Sequence, residues 1–183
     1  MAKGEKATTS NTSSLIARIT YGFTFVLLFC LTASALGIDS HQLNKYGNGY
    51  ARYPTKQYKH DLGLILFNCI FTFLWLLAHP FISMGISMFL TFVLAVFWGT
   101  AAGILFHVLP FGHTTCGHAV STFPSNWQPY VSQCRQLTAL HGLSWTIWGI
   151  LTLLLFGSLI HKVRFTPRPH VSYYGRGNVA NTV

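Results

Sequence analysis

Polar and apolar positions in this chain fall in long blocks rather than in short alternations. The first apolar block runs from Ile19 to Ile38, bounded by Arg18 and Asp39. About 20 such residues carry a helix across the hydrocarbon core of a bilayer. From Leu62 to Leu109 there is no Asp, Glu, Lys or Arg. One helix of that length would measure about 72 Å, far more than a bilayer, so the block must be two spans. The turn belongs in "AHPFISMG", where Pro80 disfavours a continuous helix. A last block runs from Leu137 to Ile160 and closes on "HKVR". The pattern predicts an all-α polytopic membrane protein, a four-transmembrane-helix bundle. Its spans lie at about 19–38, 62–79, 83–109 and 137–160, between a Ser/Thr-rich tail over 1–18 and a basic tail over 161–183.

The first span has a second reading. "LTASALG" places small residues at Ala33 and Ala35, as at a signal-peptidase site. The polar segment before it is long, rich in Ser and Thr and poor in positive charge, which favours a retained anchor.

Composition supports the membrane reading. Of 183 residues, 51% are hydrophobic and 8% charged, against about a quarter charged in soluble domains. Three acids, Glu5, Asp39 and Asp61, oppose twelve Lys and Arg, a net charge of +9. No helical basic face is present to bind nucleic acid, so the excess reads as charge flanking the spans and as attraction to anionic lipid. Seven basic residues lie in the two tails and five in the longer loops, which favours both termini in the cytosol of a plasma-membrane or secretory-pathway protein. On that topology the sequon Asn11-Thr12-Ser13 stays unmodified. In the carboxyl tail, Lys162, Arg164, Arg168 and Arg176 lie close to the cytosolic leaflet, interleaved with Phe165, Tyr173 and Tyr174. They either bind an anionic lipid surface or only set orientation.

The loop Pro110–Gln136 would then be exoplasmic. Cys116 and Cys134 in an oxidising compartment are expected to form a disulfide. A metal site built from His113, Cys116, His118 and Cys134 is the alternative, although His-x-x-Cys-x-His is not a usual structural zinc spacing. Free thiols are the third. Trp127 and Tyr130 are suited to rest on the membrane interface. Cys30 and Cys69 read as buried apolar thiols, with lipidation a minor alternative.

In the third span Ser83, Ser87, Thr91, Ala95, Gly99 and Gly103 recur every four residues. Small residues at this spacing let helix backbones approach closely, either inside the bundle, which is favoured, or between copies in a homo-oligomer. Ala33 and Gly37 form a shorter version in the first span. Trp145 and Trp148 suit packing and interface anchoring, with sterol or sphingolipid contact as a further use.

No Asp, Glu, Lys or Arg falls inside a predicted span once Arg18 reaches the surface. Ion-coupled transport and intramembrane catalysis usually need such groups, so the chain reads as a non-enzyme without a cofactor. The histidines leave one opening. His107 and His141 near one membrane face, and His79 and His161 near the other, are placed as axial ligands of two haems would be, while histidine is also ordinary at a helix end. A passive channel or transporter subunit is a further alternative.

The chain resembles the fungal MARVEL-domain membrane proteins related to the non-classical export protein. The resemblance rests on four spans, a tight second turn, a last exoplasmic loop with Cys116 and then Cys134-Arg135-Gln136 directly before "LTALHGLSWTIWGILTLLLF", and a small-residue third span "FVLAVFWGTAAGIL". It covers roughly residues 19–160. Many members carry an acidic residue in the third span and this chain does not, so no role of that acid transfers. The resemblance implies a non-enzymatic protein of membrane microdomains or of vesicle and plasma-membrane traffic, with lipids and other membrane proteins as partners.

Overall fold

The computed structural model describes residues 5–47, 49–111 and 116–165, with side chains for 19–47, 49–111 and 116–160. Four helices, α1 (Glu5–Tyr46), α2 (Lys56–Ala78), α3 (Met84–Val108) and α4 (Cys134–Phe165), are joined by short 3₁₀ turns, and the described residues include no strand. Each contains a stretch long and apolar enough to cross a membrane. Each packs on its neighbour in sequence and α4 closes back onto α1, an up-down-up-down ring. The chain is an all-α, four-helix integral membrane protein.

Burial follows steps of three and four residues on every helix. The inward positions are Leu28, Thr32, Ala35, Asp39 and Gln42 on α1, and Asp61, Ile65, Asn68, Thr72 and Trp75 on α2. They continue as Ser87, Thr91, Leu94, Trp98, Ala101 and Leu105 on α3, and Leu137, Leu140, Ser144, Ile147 and Leu151 on α4. This is the seam spacing of helices packed at a shallow angle. Facing outward are Phe23, Phe29, Leu74, Leu77, Phe89, Phe106 and Leu153, an apolar surface suited to lipid. Seam hydroxyls satisfy themselves on the preceding turn: Thr32 donates to the Leu28 carbonyl at 2.8 Å, Thr72 to Asn68 at 2.7 Å and Ser144 to Leu140 at 2.9 Å. Thr72 also accepts from the Trp98 indole at 3.0 Å, tying α2 to α3.

The helices outrun the predicted spans, and the difference is instructive. α1 continues past Asp39 because no Pro or Gly interrupts it before Gly47. There a left-handed backbone (φ 62°) ends the helix, and the Gly47 N–H closes on the Leu43 carbonyl at 2.9 Å. α2 starts early because Thr55 follows Pro54 and caps it, accepting from the Tyr58 N–H at 3.1 Å. The α2–α3 turn falls at His79-Pro80-Phe81, where the sequence places it. The consequence is a correction: Asp39 and Asp61, expected in a loop, lie inside helices and are fully buried.

Candidate functional site

Ring contacts fix the antiparallel register of α1 and α2. Tyr21 meets His79, Phe25 stacks on Trp75 at 5.4 Å between centroids, and Phe29 meets Phe73 edge-on at 5.2 Å. Counting equally along both helices sets Asp39 opposite Asp61 and Gln42 opposite Tyr58. All four side chains are at most 1% exposed. Among the described residues neither carboxylate has a hydrogen-bond donor, and the Gln42 Oε1 and Tyr58 hydroxyl are also without partners. An intramembrane carboxylate left bare is costly, because its hydration has been lost and no described residue replaces it.

An aromatic cap seals this end of the bundle. Trp127 packs edge-on against Tyr58 at 5.5 Å and against Phe111 at 5.4 Å, and Phe111 contacts Phe123 at 5.1 Å. Tyr46 lies 5.0 Å from Tyr130 and 5.8 Å from Tyr53. Polar contacts bind the two loops to each other: Asn126 donates to the Pro54 carbonyl at 3.2 Å, Tyr130 to the Arg52 carbonyl and Gln133 to the Tyr46 hydroxyl. Gln42 donates to Gln136 at 3.2 Å, joining α1 to the start of α4. The Tyr53 phenol is held above its ordinary pKa, first by burial and then by the negative charge of Asp39 below it.

The Cys116–Cys134 disulfide fastens this cap to the first residue of α4, with the Cα atoms 5.6 Å apart. Both sulfurs are thereby removed from any metal set. His113 lies outside the described residues, and His118 is exposed. Among the described residues no three His, Cys, Asp or Glu side chains are grouped to hold a metal ion. Trp127 and Tyr130, expected at the membrane interface, are instead buried in the cap. Their indole and phenol rings cover the bundle end, where more apolar area is removed from water than at an interface.

At the opposite end, beside the α2–α3 turn, a cleft of about 820 Å³ separates α1, α3 and α4. Phe23, Leu27, Met88, Ile150, Leu153 and Leu154 line it, with Gly157 and Ser158 toward the helix ends. One edge is polar: the two ring nitrogens of His79 bond the Tyr21 hydroxyl and, at 2.9 Å, the Ser87 hydroxyl. Among the described residues, no Asp, Glu, Lys or Arg lines it.

The other predicted residues separate into several groups. On α3, Ser87, Thr91 and Ala95 are buried, Gly99 and Gly103 are half-buried, and Ser83 is exposed. A Cβ at Gly99 would lie 2.8 Å from the Trp148 indole, whereas one at Gly103 meets nothing within 4 Å. His141 accepts from the Trp145 indole at 2.9 Å and His107 is exposed. His79 is held at both ring nitrogens and His141 at its Nε2. Cys69 is buried, but Cys30, expected to be buried, is exposed because it falls off the α1 seam. The side chains of His161, Lys162 and Arg164, and all of Arg168 and Arg176, lie outside the described residues.

Sequence reasoning missed Asp39, Gln42, Tyr58 and Asp61. The signal was present: both acids continue the three-and-four spacing of the apolar seam beyond the point where the segment turns polar. Comparison with protein-family models, with curated proteins and with solved structures yields no match.

Proposed function

We propose that this is a non-enzymatic integral membrane protein that organises membrane lipid, and that its cleft holds a lipid of the sterol class. The observation that carries this reading is the cleft itself. Its volume falls in the range of ligand pockets, about 300–1,000 Å³. Its walls are mainly apolar, and its hydrogen-bonded Tyr–His–Ser edge is suited to one hydroxyl. A phosphate headgroup would find no Lys or Arg among the described residues lining it. An apolar lipid body with a neutral hydroxyl satisfies both parts.

The capped end belongs on the exoplasmic side in this proposal, since a structural disulfide persists in oxidising compartments. Both termini then face the cytosol of a plasma-membrane or secretory-pathway protein, in agreement with the basic-residue count. A role in microdomains or vesicle traffic, as in MARVEL-type proteins, fits a protein whose outer surface and cleft both contact lipid. Self-association through the α3 stripe is the weaker reading, because Ser87, Thr91 and Ala95 are already covered within the chain.

Photo-crosslinking tests the proposal. A photoreactive sterol in nanodiscs should label residues around Met88 and Leu153, and unlabelled sterol should compete. Labelling spread over the whole outer surface, insensitive to competitor, would contradict it.

A further inference from the structure

The carboxylate pair calls for something that the cleft does not explain. Asp39, Gln42, Tyr58 and Asp61 together present six buried oxygens without a hydrogen-bond partner among the described residues: both oxygens of each carboxylate, the Gln42 Oε1 and the Tyr58 hydroxyl. The helix register sets the two acids opposite one another, with Gln42 and Tyr58 about one turn nearer the cap, which places the four side chains in neighbouring layers of the bundle. A proton shared by the carboxylates, together with the Tyr58 O–H, would supply only two donors to this set. A hard cation would engage several oxygens at once and also neutralise both charges.

We propose that Asp39 and Asp61, with Gln42 and Tyr58, bind one divalent cation of the calcium class beneath the aromatic cap. The ligand set is all oxygen, as hard cations prefer, and nitrogen or sulfur ligands of the zinc type are absent from it. Six oxygens of mixed kind, held on two helices, suit calcium, which accepts irregular shells of six to eight, better than magnesium, which demands a near-ideal octahedron. The seal formed by Trp127, Tyr130 and the Cys116–Cys134 loop excludes water from the layer, so a bound ion exchanges slowly.

The test uses the full chain purified in detergent without chelator and passed through metal-free buffer. Elemental mass spectrometry should find about one divalent ion per chain in the wild type and none in D39N/D61N. Thermal unfolding should shift upward by roughly 5–10 °C when calcium is raised to about 100 times its Kd, and fall back with chelator. The shift should be lost in D39N and in the double variant. Should the double variant fail to fold, ion content and the calcium response of the wild type and D39N decide the matter. Absence of retained metal together with a calcium-independent melt overturns the proposal. So does a shift of equal size in D39N, which would place the ion elsewhere. A melt that responds to pH but not to calcium overturns it as well, in favour of a carboxylate pair sharing a proton.

Discussion

Gly99 on α3 faces the Trp148 indole of α4 so closely that a β-carbon there would sit 2.8 Å from the ring. The small residue is what lets these two helices meet, since helix association in lipid depends on close packing rather than on expulsion of water. Gly99→Ala should therefore destabilise the bundle by about 1–3 kcal/mol, the usual cost of overpacking. Gly103→Ala, with open space at its Cβ, should be near neutral or slightly stabilising, because alanine favours the helix by roughly 1 kcal/mol over glycine. Thermal unfolding in detergent distinguishes them, and Trp148→Ala should relieve most of the Gly99→Ala defect. Equal effects at the two glycines would contradict the assigned contact.

The disulfide makes a second prediction. Cys116 and Cys134 should resist alkylation in intact cells until a reductant is added. Cys69, buried in the bundle, and Cys30, on the lipid-facing surface, should react slowly in both states. The bond closes a loop with a sequence separation of 18, so its loss should cost about 3 kcal/mol in the chain-entropy treatment. Hydrogen exchange at Tyr130–Gln133 should rise on reduction as the cap loosens. Rapid labelling of Cys116 without reductant would remove both the bond and the argument for an exoplasmic cap.

Trp127 is the keystone of that cap, touching Tyr58, Phe111 and Tyr130. Trp127→Ala should cost about 3–5 kcal/mol, as for other buried aromatics cut to alanine. It should also admit water to Tyr58 and Asp61, seen as faster exchange in the first turns of α2. Unchanged exchange there would mean that the bundle is sealed by other residues.

Helix number, the Pro80 turn and the cysteine pairing were legible because each depends on a local signal: block length, a missing backbone donor, and two thiols in a loop. The ends of α1 and α2 were not. Asp39, His41 and Gln42 read as a loop because they are polar, yet the helix continues since nothing breaks it before Gly47. What decides whether Asp39 faces water or the core is the partner helix, and that information lies across the α1–α2 register. Trp127 and Tyr130 were misplaced for a similar reason: an aromatic residue in a membrane protein's loop suits an interface or a cap equally, and only the tertiary contacts distinguish the two. The Tyr21–His79–Ser87 edge joins α1 to the α2–α3 turn across 58 residues of chain and left no mark in the one-dimensional pattern.

The carboxyl tail carries a prediction from sequence alone. A peptide spanning residues 161–183 should bind anionic liposomes and weaken with salt, each basic residue contributing roughly 1 kcal/mol near the surface. Replacing Arg168 and Arg176 with Gln should reduce binding without altering membrane insertion. Equal binding by both peptides at low and high salt would leave these charges only a topological role.

The most direct measurement of the central claim is native mass spectrometry of the chain released from sterol-containing membranes, wild type against Gly157→Leu. Gly157 lines the cleft and a Cβ there meets nothing within 4 Å, so a side chain can be started there and leucine would occupy cleft space. The wild type should retain a sterol-class lipid through gentle activation, and Gly157→Leu should lose it while keeping its fold and its disulfide. Identical lipid retention by the two proteins, or retention of phospholipid alone, would contradict the assignment of the cleft.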